Sequence, residues 1–156
     1  MVISITPIQK IEDAKNALKA FEAEIPEIIF QGAKFAAEEV KFRVQSRGEA
    51  TNGSILMTPS SRPIGRYGQR HGKAREEAGL QVQKVDLYYE GQMWDSWKVE
   101  QQGNESGAGF DNDFARMKAD NVQDNIYQTP IFPISEQEKR KAVEAMAELI
   151  KQKLRF

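Results

Sequence analysis

Trp97-Lys98-Val99-Glu100-Gln101-Gln102-Gly103-Asn104-Glu105-Ser106-Gly107-Ala108-Gly109-Phe110 is the stretch that decides the fold class. Trp97, Val99 and Gln101 alternate with Lys98 and Glu100, the period of two that sends neighbouring side chains to opposite faces of a strand. Gly103-Asn104-Glu105-Ser106-Gly107 is hairpin-turn chemistry, because glycine and asparagine accept the backbone angles of a tight reversal. Ala108 to Phe110 then reads as the returning strand, which predicts a β-hairpin across 95–110. Helical spacing governs both ends of the chain, so the expected class is α+β.

Downstream, Asp111 or Asn112 can cap a short helix running through Phe114, Met117 and Lys118. Ile126 to Ile134 contains Pro130 and Pro133, which suits an extended or edge segment. Ser135 and Glu138 then form a capping box. Ala142, Val143, Met146, Leu149, Ile150 and Leu154 follow on one face of a closing helix.

Upstream, Thr6, Pro7 and Gln9 have the pattern of a helix start. Ile8, Ile11, Ala14, Leu18 and Phe21 make one apolar stripe. Pro26 disfavours helical geometry at Ile25, so a break or kink is expected near residues 24–26. A second helix follows to about Ser46. Ile29, Ala33, Ala36, Ala37, Val40 and Val44 form its apolar stripe, Phe30, Phe35 and Phe42 widen it, and Glu38, Glu39, Lys41 and Arg43 fall mainly on the other side. Such a stripe serves either as core or as a subunit contact.

From Arg47 to Gly79 periodicity is lost. Six glycines, Pro59 and Pro63 predict a long, mobile loop, with Ile55, Leu56 and Met57 as its only apolar anchor. Leu80 to Tyr89 fits a strand or a short helix. The whole of 1–156 is read as one domain.

Composition narrows the chemistry. Of 156 residues, 40% are hydrophobic and 29% charged, which suits a folded domain, and a net charge of −1 gives no overall pull toward nucleic acid. No cysteine means no disulfide, thiolate zinc site or thiol nucleophile. A single histidine, His71, excludes metal motifs built on histidine pairs. Met1 to Lys10 lacks a basic start followed by an apolar run, and no apolar stretch approaches the length of a membrane span. Neither a signal peptide nor a membrane partner is expected.

The catalytic motifs fail their own spacing. Gly65 to Gly72 is glycine-rich, but Lys73-Ala74 follows where a phosphate loop needs Lys-Ser/Thr. Asp111-Asn112-Asp113 opens like a calcium loop, yet Ala115 and Arg116 stand where an oxygen ligand and a glycine belong. His71 has no nucleophile beside it, and Asp86, Glu90 and Asp95 read as solvated carboxylates. No catalytic residue, metal or cofactor is expected, and the chain is not read as an enzyme. What stands out is contact chemistry. Arg62, Arg66, Arg70, Lys73 and Arg75 occur with no acid between residues 62 and 75, with Tyr67 and His71 interleaved. They suit a solvated loop, an arm pairing with a neighbouring subunit, or phosphate contacts with nucleic acid. Tyr88, Tyr89, Trp94 and Trp97 serve either as core or as interface anchors.

The stretch from Asp86 to Val99 carries Glu90-Gly91-Gln92-Met93-Trp94-Asp95-Ser96 directly after two tyrosines. It resembles the aromatic-or-hydrophobic, Thr/Glu-Gly-x-Leu/Met-x-x-Ser signature of tailed-phage tail-completion, head–tail joining (neck) and virion-morphogenesis proteins. In that family a helix, a Gly-rich loop, this signature, two strands, a short helix and a closing helix follow in order. The order here matches from about Ile28 to the C-terminus. The resemblance implies a small curved antiparallel sheet packed against a long helix, with additional N- and C-terminal helices. It also implies a homo-oligomeric ring in the virion beside neck, portal or tail proteins, made in the host bacterial cytoplasm, with no enzymatic activity. The helix over 7–24 and the length of the basic loop depart from the pattern and leave tail completion, neck and tail terminator open. The alternative is a small nucleic-acid-binding module using residues 62–75.

Overall fold

The computed structural model describes residues 7–154 except 62, 64 and 89 and the side chains of residues 7 and 8. It is an α+β fold: a curved two-stranded antiparallel sheet lies against one long helix, and a C-terminal helix packs beside it. Helix α1 spans Pro7–Phe42 and continues as a π-helical turn over Arg43–Arg47. The other elements are α2 (Gln69–Glu77), α3 (Gln92–Asp95), β1 (Trp97–Gln102), β2 (Glu105–Phe110), α4 (Asp113–Asp120) with a π-helical extension Asn121–Tyr127, and α5 (Glu136–Lys153).

The hairpin forms, but its turn is Gly103-Asn104 alone: Glu105–Gly107, read as turn, belong to β2, and Asp95 lies in α3. Trp97 pairs with Phe110 and Gln102 with Glu105, and the two-residue turn between the strands uses Gly103 at φ 61°. A positive φ at the first turn position matches the twist of the flanking strands, and glycine adopts it without a Cβ clash. The hairpin is fastened to α1 by side-chain donors. Trp97 Nε1 donates to the Ala37 carbonyl at 3.1 Å, and Gln101 Nε2 donates to the Pro26 carbonyl at 2.8 Å.

The break expected at residues 24–26 does not occur, so the predicted first and second helices are one. Proline in a helix interior forfeits one hydrogen bond and crowds the preceding turn, at about 3 kcal/mol. Packing C-terminal to Pro26 offsets that cost. Ile28, Ala36, Ala37, Val40 and Val44 are buried, and α5 runs antiparallel along the same face. Lys153 meets Glu24 at one end of that pair, and Lys141 Nζ meets Glu39 at 2.5 Å further along. A Cβ at Gly32 would stand 2.5 Å from Met146 Sδ, so the glycine lets that side chain lie against α1.

Arg43, expected on the polar side, is 3% exposed. Its Nε donates to Glu138 Oε1 at 2.7 Å, and its other nitrogens donate to the Glu49 and Pro133 carbonyls. Glu138 is also the capping-box residue of α5, receiving the Ser135 N–H at 2.7 Å while Ser135 Oγ accepts the Glu138 N–H. One carboxylate thus starts α5 and locks it to α1. Phe35, Phe42 and Val143, read as part of apolar faces, are exposed instead.

Residues 47–79 are not one irregular loop. Gly48, at φ 67°, ends the π-helical turn, and a Cβ there would meet the Val85 carbonyl at 2.9 Å. Short bridges join Glu49 to Ile55 and Ser61 to Gly68, and residues 69–77 are helical. Ala50, Leu56 and Ser61 are buried, so the stretch is packed on the core rather than projecting as an arm. Leu80 to Tyr88 is neither strand nor helix. Gln81 Oε1 accepts the Gln83 and Lys84 N–H groups, and Tyr67 Oη accepts those of Asp86 and Leu87. Side chains take the backbone partners that a sheet or helix would supply. Residues 128–134, expected as part of an extended segment from Ile126, lie outside any strand or helix; Ile126 and Tyr127 are π-helical, Gln128 turns the chain at φ 54°, and the Ile131 N–H donates to Gln123 Oε1 at 2.9 Å.

The core centres on rings from three segments. Trp97 and Phe110 lie 5.0 Å apart, Phe110 and Phe132 5.1 Å, and Trp94 and Phe132 5.8 Å, around buried Val44, Leu56, Val85 and Ile131. Asn112 caps α4 as expected, accepting the Ala115 N–H at 2.8 Å. That helix buries Ala115 and Ala119 and leaves Phe114 and Met117 outside. Thr6, the expected cap of α1, lies outside the described residues.

Candidate functional site

The basic stretch divides into two parts with different fates. Arg75, on α2, is 1% exposed. Its Nε donates to the Gln81 carbonyl at 2.9 Å, one terminal nitrogen to the Tyr88 carbonyl, and the other to both Asp86 oxygens at 3.0 and 3.2 Å. The guanidinium also stacks over the Tyr67 ring, 4.3 Å from its centroid. Tyr67 Oη donates to Asp86 Oδ1 at 2.7 Å, and Gln81 Nε2 and the Tyr88 N–H complete the carboxylate's partners. Burial, followed by the hydrogen bond to Asp86, pushes the Tyr67 hydroxyl well above its usual pKa, so it stays a donor. Arg75 and Tyr67 are therefore spent inside the fold, and Asp86, read as solvated, is their anchor.

Arg70 and Lys73 are exposed and Arg66 is half-buried; their side chains make no hydrogen bond or ion pair among the described residues. Arg62 and Tyr89 lie outside those residues. His71 packs 4.9 Å from Tyr67. Partial burial, then the Arg75 charge, lowers its pKa against the pull of Asp86, which favours the neutral ring. Trp94 is 2% exposed and Trp97 half-buried, so both act as core residues, whereas Tyr88 is exposed.

The signature stretch forms the one-turn helix α3. Gly91 enters it at φ 83°, where a Cβ would press on the Tyr88 ring at 3.2 Å. Ser96 closes it by donating to the Met93 carbonyl at 2.8 Å. This turn is one wall of a cavity of about 790 Å³, with α2 opposite and α4 and its π-helical extension behind. Leu87, Met93, Val122, Ile126 and Tyr127 give it an apolar interior. Burial pushes the Tyr127 hydroxyl up to about 12. Arg70, Lys118 and Glu90 stand among its lining residues. A volume of this size, mostly apolar with few polar groups, is that of a site for a drug-sized group or a partner's side chains.

Tyr67, Arg70, Arg75 and Tyr88 are thus brought together at one place, while Trp94 and Trp97 sit in the core and Arg66 and Lys73 do not line the cavity. The helical lining, Lys118, Val122, Ile126 and Tyr127, escapes a sequence reading because its only signal is helical spacing, shared with any packed helix. Among the described residues no group of three or more His, Asp or Glu side chains is placed to hold a metal, and no helix is long and apolar enough to cross a membrane. No protein-family model, curated protein or solved structure significantly matches this chain.

Proposed function

We propose that this chain is a structural protein of a tailed-phage or prophage particle. It acts at the head–tail junction, in tail completion or as a connector, by joining other protein chains. The observation that carries the reading is apolar surface held on helices without cover. Helix α1 has 36 residues and α5 has 18, so the first turns of α1 run beyond the α1–α5 pair. Ile11 there is 68% exposed and Leu18 64%, and on α4 Phe114 is 70% and Met117 71% exposed. Several large apolar groups presented on ordered helices mark surfaces that other chains bury. Their dispersal over two helices suits a subunit with more than one neighbour, as a ring requires.

The order of elements and the Glu90–Ser96 signature point the reading to the head–tail junction. A catalytic role has less support, since Tyr67, Arg75 and Asp86 are committed to one another. The nucleic-acid alternative is weakened by the burial of Arg75, which leaves Arg66, Arg70 and Lys73 as the described cations of that stretch. Removing the gene from the phage or prophage that carries it tests the proposal. The expected result is filled heads and separate tails, with joining restored by supplying the protein. Normal yields of joined, infectious particles without it would contradict the reading.

A further inference from the structure

The cavity walled by α2, α3 and α4 with its extension is braced by the chain itself. Leu87, Met93, Val122 and Ile126 give it an apolar interior. Arg75 holds the Tyr88 carbonyl and stacks on Tyr67, and Gly91 admits the Tyr88 ring beside α3. A hole fixed by a buried network is preformed, as small-molecule sites are. Its polar groups carry unused capacity. Tyr127 lines the cavity, and its hydroxyl makes no hydrogen bond among the described residues. Arg70 and Lys118, both exposed, make no hydrogen bond or ion pair there either. The third lining cation, Arg75, is matched by Asp86. Arg70 and Lys118 therefore stand against Glu90, the one lining acid among the described residues, which leaves positive charge in excess beside an apolar interior.

We propose that this cavity binds a small amphipathic carboxylate, whose apolar chain lies among Leu87, Met93, Val122 and Ile126 and whose head is held by Arg70 and Lys118. Size allows it, since a cavity of about 790 Å³ takes a drug-sized group. A neutral apolar molecule would use the interior and leave both cations without a partner. A compact anion would use the cations and leave the interior uncovered. A cationic head would meet like charge. An anionic amphiphile uses both, and a carboxylate accepts charge-assisted hydrogen bonds from guanidinium and ammonium alike. The Tyr127 hydroxyl, kept protonated by burial, is a further donor on the same wall. The inference goes beyond the assembly reading, and either can fail alone.

Isothermal titration calorimetry of the full chain tests this with decanoate, its neutral counterpart decan-1-ol, and acetate as the head alone. Decanoate should bind one molecule per chain with a Kd under about 100 µM, a modest affinity for a ligand of its size. Decan-1-ol should bind at least about tenfold more weakly, the loss of a charge-assisted contact, and acetate should show no binding at about 1 mM. Changing Arg70 and Lys118 together to glutamine, both on exposed side chains, should weaken decanoate at least about tenfold and leave decan-1-ol unchanged. Ala74→Trp, from the exposed α2 face lining the cavity, should block both ligands. In NMR titrations of the parent, the methyl signals of Leu87, Val122 and Ile126 should move as decanoate is added.

The inference is overturned by a parent that binds no decanoate up to about 1 mM, or by decanoate and decan-1-ol binding equally well. It is overturned as well by the double glutamine variant binding decanoate like the parent, or by methyl signals that stay still while others shift. The NMR outcome reads the parent alone, so it decides the matter even where Ala74→Trp disturbs α2. A chain that binds decanoate but is absent from particles keeps this inference and sinks the assembly reading. One found in particles that binds none does the reverse.

Discussion

Replacing Arg75 by methionine isolates the network that walls the cavity. Methionine keeps most of the aliphatic stem and removes the charge and every donor. Asp86 would then be left with its side chain 10% exposed and no paired cation among the described residues, and the Gln81 and Tyr88 carbonyls would lose their donors. Breaking a buried ion pair from one side costs about 3–5 kcal/mol, because the remaining charge stays desolvated. Tyr67, Gln81 and the Tyr88 N–H still donate to Asp86, which places the expected loss near the lower end, about 3 kcal/mol. For a chain of this size that corresponds to a fall in Tm of roughly 6–12 °C. Urea unfolding at pH 7, followed by the fluorescence of Trp94 and Trp97, reads it directly. Arg70→Met, on an exposed side chain, should stay within about 0.5 kcal/mol of the parent. Adding Asp86→Asn to Arg75→Met should destabilise far less than the sum of the two single changes, since the uncompensated charge goes with it. An Arg75→Met loss under about 1 kcal/mol would refute the claim that this pair is a buried structural anchor.

Three further outcomes follow from the same geometry. Burial opposes the charge of Glu138, but hydrogen bonds from Arg43 and Ser135 outweigh it and hold the pKa below the usual carboxylate range. Protons therefore bind the unfolded chain more readily, so stability is full above about pH 4.3 and falls as pH drops through the folded pKa. Glu138→Gln should flatten that acid slope in urea melts at 0.5 M salt, where the exposed pairs of Asp111 and Glu136 are screened; an unchanged slope would count against it. Hydrogen exchange should be fast over residues 9–20 and slow over 28–44, because the first turns of α1 have no packing partner among the described residues and isolated helices of about 12–15 residues are marginal. Equal protection along α1 in the monomer would contradict this. Fluorescence anisotropy with duplex DNA should show no binding tighter than about 10⁻⁴ M at 0.15 M salt. Micromolar affinity lost on changing Arg66, Arg70 and Lys73 to alanine would revive the nucleic-acid alternative.

What could be read from the sequence was local. The hairpin announces itself through alternation and Gly103-Asn104, and α5 through Ser135 and Glu138, because turns and capping boxes are short-range devices. Pro26 misled for a physical reason: its local preference is real, but burial of Ile28, Ala36, Ala37 and Val40 outweighs it. The segment around Gln81 and Asp86 resisted assignment because side chains 19 residues apart, Tyr67 and Asp86, satisfy its backbone and carboxylate. Charge patterning grouped Arg75 with its basic neighbours, yet burial separates it from them. The cavity belongs to no single motif. Its walls come from α2, α3 and α4 with its extension, and their convergence is a property of the packed chain.

The most direct test of the account is imaging of the head–tail joint in purified particles by electron cryomicroscopy. The account predicts a ring of copies of this chain there, recognisable by the α1–α5 pair and the hairpin. A joint fully explained by other proteins, with this chain absent from the particle, would contradict it.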